Sequence, residues 1–186
     1  RQWYFLFGHL FQQIRNIMKS ILILLVNMSF LGNAFTQEVW SDHSRILPDL
    51  LRKVPVAIQM WHTNNPNYPE KAAGIVETDA KYVWRHSTSV TSMDSDLQVL
   101  SAGSFIWYSR EGWQKNLVYS KEEFSKYFQC PGGVLKKGKT YTFEQNFRFD
   151  NQLYGGDALW YVIAEDPNGK RYKGMAIIET ESEVNH

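Results

Sequence analysis

The chain is poor in the residues that build disulfide and metal frameworks. One of its 186 residues is cysteine, Cys130, so no disulfide can close within the chain and no cysteine-rich zinc module can assemble. An excess of charge of either sign is also missing. Twenty Lys and Arg stand against 19 Asp and Glu, a formal net charge of +1, whereas a dedicated nucleic-acid binder carries a marked basic excess. No apolar run reaches the roughly 18 residues that a membrane-spanning helix needs. Gly-x-Ser-x-Gly, His-Glu-x-x-His and glycine-rich phosphate loops do not occur, which removes the motifs of serine hydrolases, zinc peptidases and P-loop enzymes. Aromatic residues are abundant instead: they make up 15% of the chain and include seven tryptophans. Hydrophobic residues at 44% and charged residues at 21% are ordinary globular usage, neither disordered nor collagen-like.

The charge is unevenly spread. Residues 1–36 hold Arg1, Arg15 and Lys19 and no acid, which leaves 17 basic and 19 acidic side chains over the rest, a net −2. Within that first part, Met18-Lys19 begins a short positive region. Ile21–Gly32 is a 12-residue apolar stretch, and small residues follow up to Thr36. This is the layout of a secretory signal, with cleavage expected near Ala34 or Thr36 and a secreted or periplasmic destination. Residues 1–17 are read as an upstream extension, 18–36 as the signal, 37–53 as a polar lead-in with a short helix around Pro48, 54–181 as a single β-domain and 182–186 as a tail. The membrane enters this reading only through the export signal.

Beyond residue 53 the period is mostly two. Val54–His62 is β-rich. In Ala80–Thr91, Tyr82, Trp84, His86, Thr88 and Val90 share one parity. In Thr140–Asp150, Tyr141, Phe143, Gln145, Phe147 and Phe149 share one parity and alternate with Thr142, Glu144, Asn146, Arg148 and Asp150. A strand lines up such residues, whereas a helix would scatter them. Leu97–Tyr108 reads as a strand with a close backbone approach at Gly103. Ala158–Glu165 is apolar at both parities and so is expected in the centre of a sheet. Asp166-Pro167-Asn168-Gly169 is expected to turn a hairpin with positive φ at Asn-Gly. One helix is signalled, over about 121–128. Ser120-Lys121-Glu122-Glu123 is a capping box, and Phe124, Tyr127 and Phe128 form one apolar face.

Seven or eight strands with short turns predict a mainly β fold, an antiparallel β-sandwich. Leu135-x-x-Gly138-x-x-Tyr141 resembles the tyrosine corner of immunoglobulin-like domains, and the expected sandwich is immunoglobulin-like on that account. The Cys…Trp…Cys pattern of true immunoglobulin domains is absent. The alternative is a small up-and-down β-barrel of the lipocalin type, a small-ligand carrier with Tyr141, Phe143, Phe147 and Phe149 around an interior cavity.

Candidate chemistry is sparse. His62 and His86 lie on strands beside tryptophans. Their plain fate is a half-buried ring bonded to backbone, and their sharper one is an enzyme or metal site. Cys130 lacks the nearby histidine of a copper centre, and only Lys136 and Lys137 are at hand to activate it as a nucleophile. Asp94 and Asp96, or Asp150 and Asp157, fall short of a calcium loop and are expected to cap their own turns. Arg148 with Glu144 and Asp150 is expected in a cross-strand ion pair. The sequence assigns no catalytic residue, metal or cofactor. Exposed aromatics beside amides and carboxylates are how a β-domain holds a sugar face or a partner protein. Two segments have that make-up: Trp61, His62, Asn64 and Asn65, and Tyr108, Arg110 and Trp113. The functional expectation is therefore a non-catalytic binding or protein-interaction module with a carbohydrate or protein partner. Nucleic acid is excluded, and the oligomeric state is left open.

Overall fold

The structure, a computed structural model, describes residues 45–72 and 79–184. The chain divides into two compact units, residues 1–45 and 46–186, and the architecture below is that of the second. The segment read as an export signal, Trp40, His43 and His186 lie outside the described residues.

The fold is mainly β, with antiparallel sheets that do not close into a barrel. The strands are β1 (Ile58–Thr63), β2 (Pro69–Lys71), β3 (Tyr82–Trp84), β4 (Ser87–Ser92), β5 (Leu97–Tyr108), β6 (Gly112–Tyr119), β7 (Val134–Leu135), β8 (Thr140–Phe143), β9 (Arg148–Asp150), β10 (Gly156–Glu165) and β11 (Arg171–Thr180). A one-turn helix, α1 (Asp49–Arg52), precedes them, and α2 (Lys121–Tyr127) follows β6. The larger sheet has the order β11-β10-β5-β6, with β7 on β5. The orders β1-β4-β8 and β2-β3-β9 are the same three chain segments side by side, so these two small sheets are the halves of one broken sheet. Counted by segment, the first, second and fifth stretches of strand face the seventh, sixth, third and fourth, an arrangement consistent with a β-sandwich.

The break overturns part of the sequence reading. Ala80–Thr91 and Thr140–Asp150 do not run through as single strands. The second and fifth segments pair as Thr91↔Thr140 in one half and Trp84↔Arg148 in the other, a slip of one residue at Arg85–Ser87 against Glu144–Phe147. Such a slip exchanges the faces of a strand. Tyr141 is buried, whereas Phe149 is 38% exposed. Phe143 packs on Tyr127, at 5.0 Å between centroids. Phe147 lies under the Arg85 guanidinium on its other side. These aromatics therefore line no common cavity, and the lipocalin-type barrel is corrected.

Two apolar clusters hold the larger sheet. The first joins Val99, Trp160, Val162 and Ile178 to Ile58, Met60, Val90 and Tyr141 of the opposite sheet and to Phe124 and Phe128 of α2. Ser120 caps α2 as its sequence predicts: Glu123 N–H donates to Ser120 Oγ at 3.2 Å, and Ser120 N–H donates to Glu123 Oε2 at 2.8 Å. The second cluster lies on the other face of the sheet and joins Phe105, Leu159, Tyr161 and Ile163 to Leu51 of α1. β10 is thus buried on both faces, as its unbroken apolar run foretold. The 37–53 stretch, read as polar, contributes a fully buried leucine. The buried Lys173 ammonium donates to the Leu51 carbonyl and ties α1 down.

The free edge of β11 is covered. Ala57 N–H donates to Lys173 O and Lys173 N–H to Pro55 O, while Asn67 N–H donates to Glu179 O and Glu181 N–H to Asn67 O. Between these ties Ile58 rides over Gly174, where any Cβ would come within 2.7 Å of its side chain. At the β10–β11 hairpin Gly169 takes φ 78°, and Asn168 stays outside the positive region. The turn is carried instead by the Asp166 carboxylate, which accepts from Asn168 and Lys170 N–H. The hairpin turns over Asp166–Gly169 as expected, with its positive φ on Gly169 alone.

Candidate functional site

The first candidate segment is divided among three tasks. Trp61 and His62 are successive in β1 and point to opposite faces. Trp61 pairs with Ser89 on the outward face and is partly buried. Asn64, at φ 67°, donates to Arg85 O. Asn65 accepts from Glu179 N–H and donates to Ile177 O, both at 2.9 Å. Both asparagine side chains are committed to holding the loop onto its neighbours.

His62 turns inward and meets His86, the ring centroids 5.8 Å apart, with Trp160 at 6.3 Å. Asn146 Nδ2 donates to Thr88 Oγ1 at 2.8 Å, and that hydroxyl reaches His62 Nδ1 at 2.9 Å. Asn67 Nδ2 donates to His86 Nδ1 at 3.2 Å. Both rings are thereby bonded at Nδ1 to neutral side chains alone. Neither Nε2 has a partner of good hydrogen-bond geometry, although the Ala176 and Trp84 carbonyls lie near enough to favour the charged rings. Burial wins. It lowers His62 to about 4. His86 is lowered to about 3 by burial, by the charge of His62 and, less strongly, by Arg148. No carboxylate bonds to either ring, and no group of three metal-ligating side chains occurs among the described residues. The two histidines form a packed polar seam between the sheets.

Cys130 is fully buried in the first cluster, and burial pushes its thiol up to about 11, the opposite of a nucleophile. Asp96 takes Lys136 Nζ at 2.8 Å and Lys137 N–H at 2.9 Å, which hold its carboxyl below the usual range. It ties two loops together, rather than capping its own turn.

The second candidate segment leads to a cleft of about 300 Å³. Ile106, Trp107 and Tyr108 of β5, Arg148 and Asp150 of β9, Tyr154–Ala158 and Thr180 line it. The one-residue slip is what turns Arg148 and Asp150 toward this side. Tyr108 is 48% exposed. Trp113, its expected companion, stands behind the lining and packs edge-on against Trp107 at 5.2 Å. Arg110 does not line the cleft. On the far wall Tyr154 stacks on the buried Trp84 at 4.5 Å, and the Arg148 guanidinium lies 5.1 Å over the Tyr154 ring. Asp150 accepts from Gln152 N–H at 3.0 Å. The expected ion pair of Arg148 with Glu144 or Asp150 does not form. The structure thus brings Tyr108 and Trp113 to one place and leaves Trp61 on the other sheet, out of ring contact with Trp113. Trp107, Arg148, Asp150 and Tyr154 were absent from the expected site. The polar groups of β9 carried a signal, a charged parity opposite the aromatic one, but Tyr154 sits in a loop with no period to read. No protein-family model and no curated protein matches the chain.

Proposed function

We propose that the chain is an exported β-sandwich of immunoglobulin-like strand order that binds carbohydrate without catalysis, at the cleft between β5, β9 and the start of β10. One observation carries the binding reading: the exposed Tyr108 ring stands across the cleft from Tyr154, beside Arg148 and the two carboxylates of Asp150 and Asp157. Flat apolar faces next to planar polar groups suit a sugar, which offers an apolar ring face and a rim of hydroxyls. The volume is at the small end of ligand pockets, roughly 300–1,000 Å³, and fits a single sugar unit.

The strand order supports the architectural half. The first, second and fifth segments correspond to A-B-E, and the seventh, sixth, third and fourth to G-F-C-C′. The corner tyrosine falls elsewhere: Tyr141 opens the fifth segment, the place of strand E, where immunoglobulin domains put theirs on F. Its hydroxyl still takes the Lys136 N–H at 3.4 Å, so the seven-residue likeness is a local device and the topology is the stronger support.

Titration with neutral and acidic saccharides, followed by tryptophan fluorescence, tests the binding reading. Tyr108→Ala is expected to weaken binding at least tenfold, the order of a lost aromatic anchor. Trp61→Ala, on the other sheet, is expected to leave it unchanged. Binding that ignores Tyr108 and follows Trp61 would reject the cleft. Export rests on residues 18–36. It is tested by the intact mass of protein recovered outside the cytoplasm, expected to begin at Phe35 or Gln37; an uncleaved chain overturns it.

A further inference from the structure

We propose, on the footing of the carbohydrate-binding reading above, that the sugar held in the cleft carries a carboxylate and that Arg148 receives it. Arg148 is half-buried on β9, beside Trp84 in the ladder. It makes no ion pair among the described residues. Its stack on Tyr154 covers one face of the guanidinium, and the Tyr154 hydroxyl lies near its N–H groups without a bond of good geometry. A charge withdrawn from water without a counter-ion is costly, and the fork matches a carboxylate two bonds at a time.

The rest of the lining narrows the class. Asp150 lies two residues along the same strand face and brings a carboxylate into the cleft. A bare anion would be repelled by it. A ligand with a carboxylate at one end and hydroxyl donors at the other satisfies both groups, and Tyr108 takes the ring face. A uronic acid unit has that pattern.

The test uses the full chain and compares galacturonate with galactose by calorimetry at low salt. Galacturonate is expected to bind about tenfold or more tightly, the order of a charge-assisted bond, and the preference is expected to shrink as salt is raised. Arg148→Gln should bring the two sugars level, and Arg148→Lys should keep part of the preference. If Arg148→Gln fails to fold, Arg148→Lys decides: an undiminished preference overturns the role of the fork. Equal binding of the two sugars by the natural chain, or a preference that survives Arg148→Gln, overturns the proposal and leaves the carbohydrate reading standing. If the chain binds neither these sugars nor any neutral saccharide, both readings fall.

Discussion

His62 and His86 show how a polar residue can be folded into a core without becoming a site. Each ring is bonded at Nδ1 within an amide and hydroxyl chain and loses solvent on the other side. The consequence is a pH dependence with a definite sign. Their folded values, about 4 and about 3, lie below the ordinary 6.5, so the unfolded chain takes up protons first. The stabilisation is fully present above pH 6.5 and is lost as pH falls toward 4 and 3. Between pH 6.5 and 5, above the ordinary carboxylate range, the slope of unfolding free energy should climb toward about 2.7 kcal/mol per pH unit for two protons. Urea unfolding across that interval measures it. Imidazole resonances of these two histidines that titrate near 6.5 in the folded protein would contradict it. The parity of His86 with Trp84 and Val90 was legible in the sequence; its burial to 7% exposure and its meeting with His62 were not, because they depend on which strand pairs with which.

At the scale of elements, local chemistry spoke most clearly where it is self-contained. The α2 capping box needs only residues 120–123, and it forms as the spacing dictates. Ser120→Ala removes the acceptor for Glu123 N–H and should cost about 1 kcal/mol, seen as a lower urea midpoint with an unchanged slope. An unaltered midpoint would mean that Phe124 and Phe128, stacked 4.3 Å apart in the core, hold the helix without its cap. The long strands β5 and β10 were readable for the same reason, since their period of two or unbroken apolar run is written along one segment. The break in the partner sheet was not. Nothing local in TYTFEQNFRFD marks the slip; it arises from pairing with Ala80–Thr91. That slip decides the candidate site, because it turns Arg148 and Asp150 to the cleft side and Phe149 to solvent.

For the whole molecule, the mainly β class followed from period and turn spacing, and the core from the aromatic excess. The closing contacts lay beyond that kind of reading. Pro55 and Ala57 belong to a stretch read only as β-rich, and Asn65 and Asn67 to a loop, yet together they fasten the first strand segment alongside the last. The bridges between them, Val56 with Lys173 and Asn67 with Thr180, are parallel. Parallel neighbours at the two ends of a domain have a mechanical meaning. Tension applied to the ends draws the first segment toward its start and the last toward its finish, so the strands are driven to slide lengthwise past each other. Their backbone bonds then bear the load together instead of opening one at a time, and Ile58, seated over Gly174, resists the slide like a tooth in a notch.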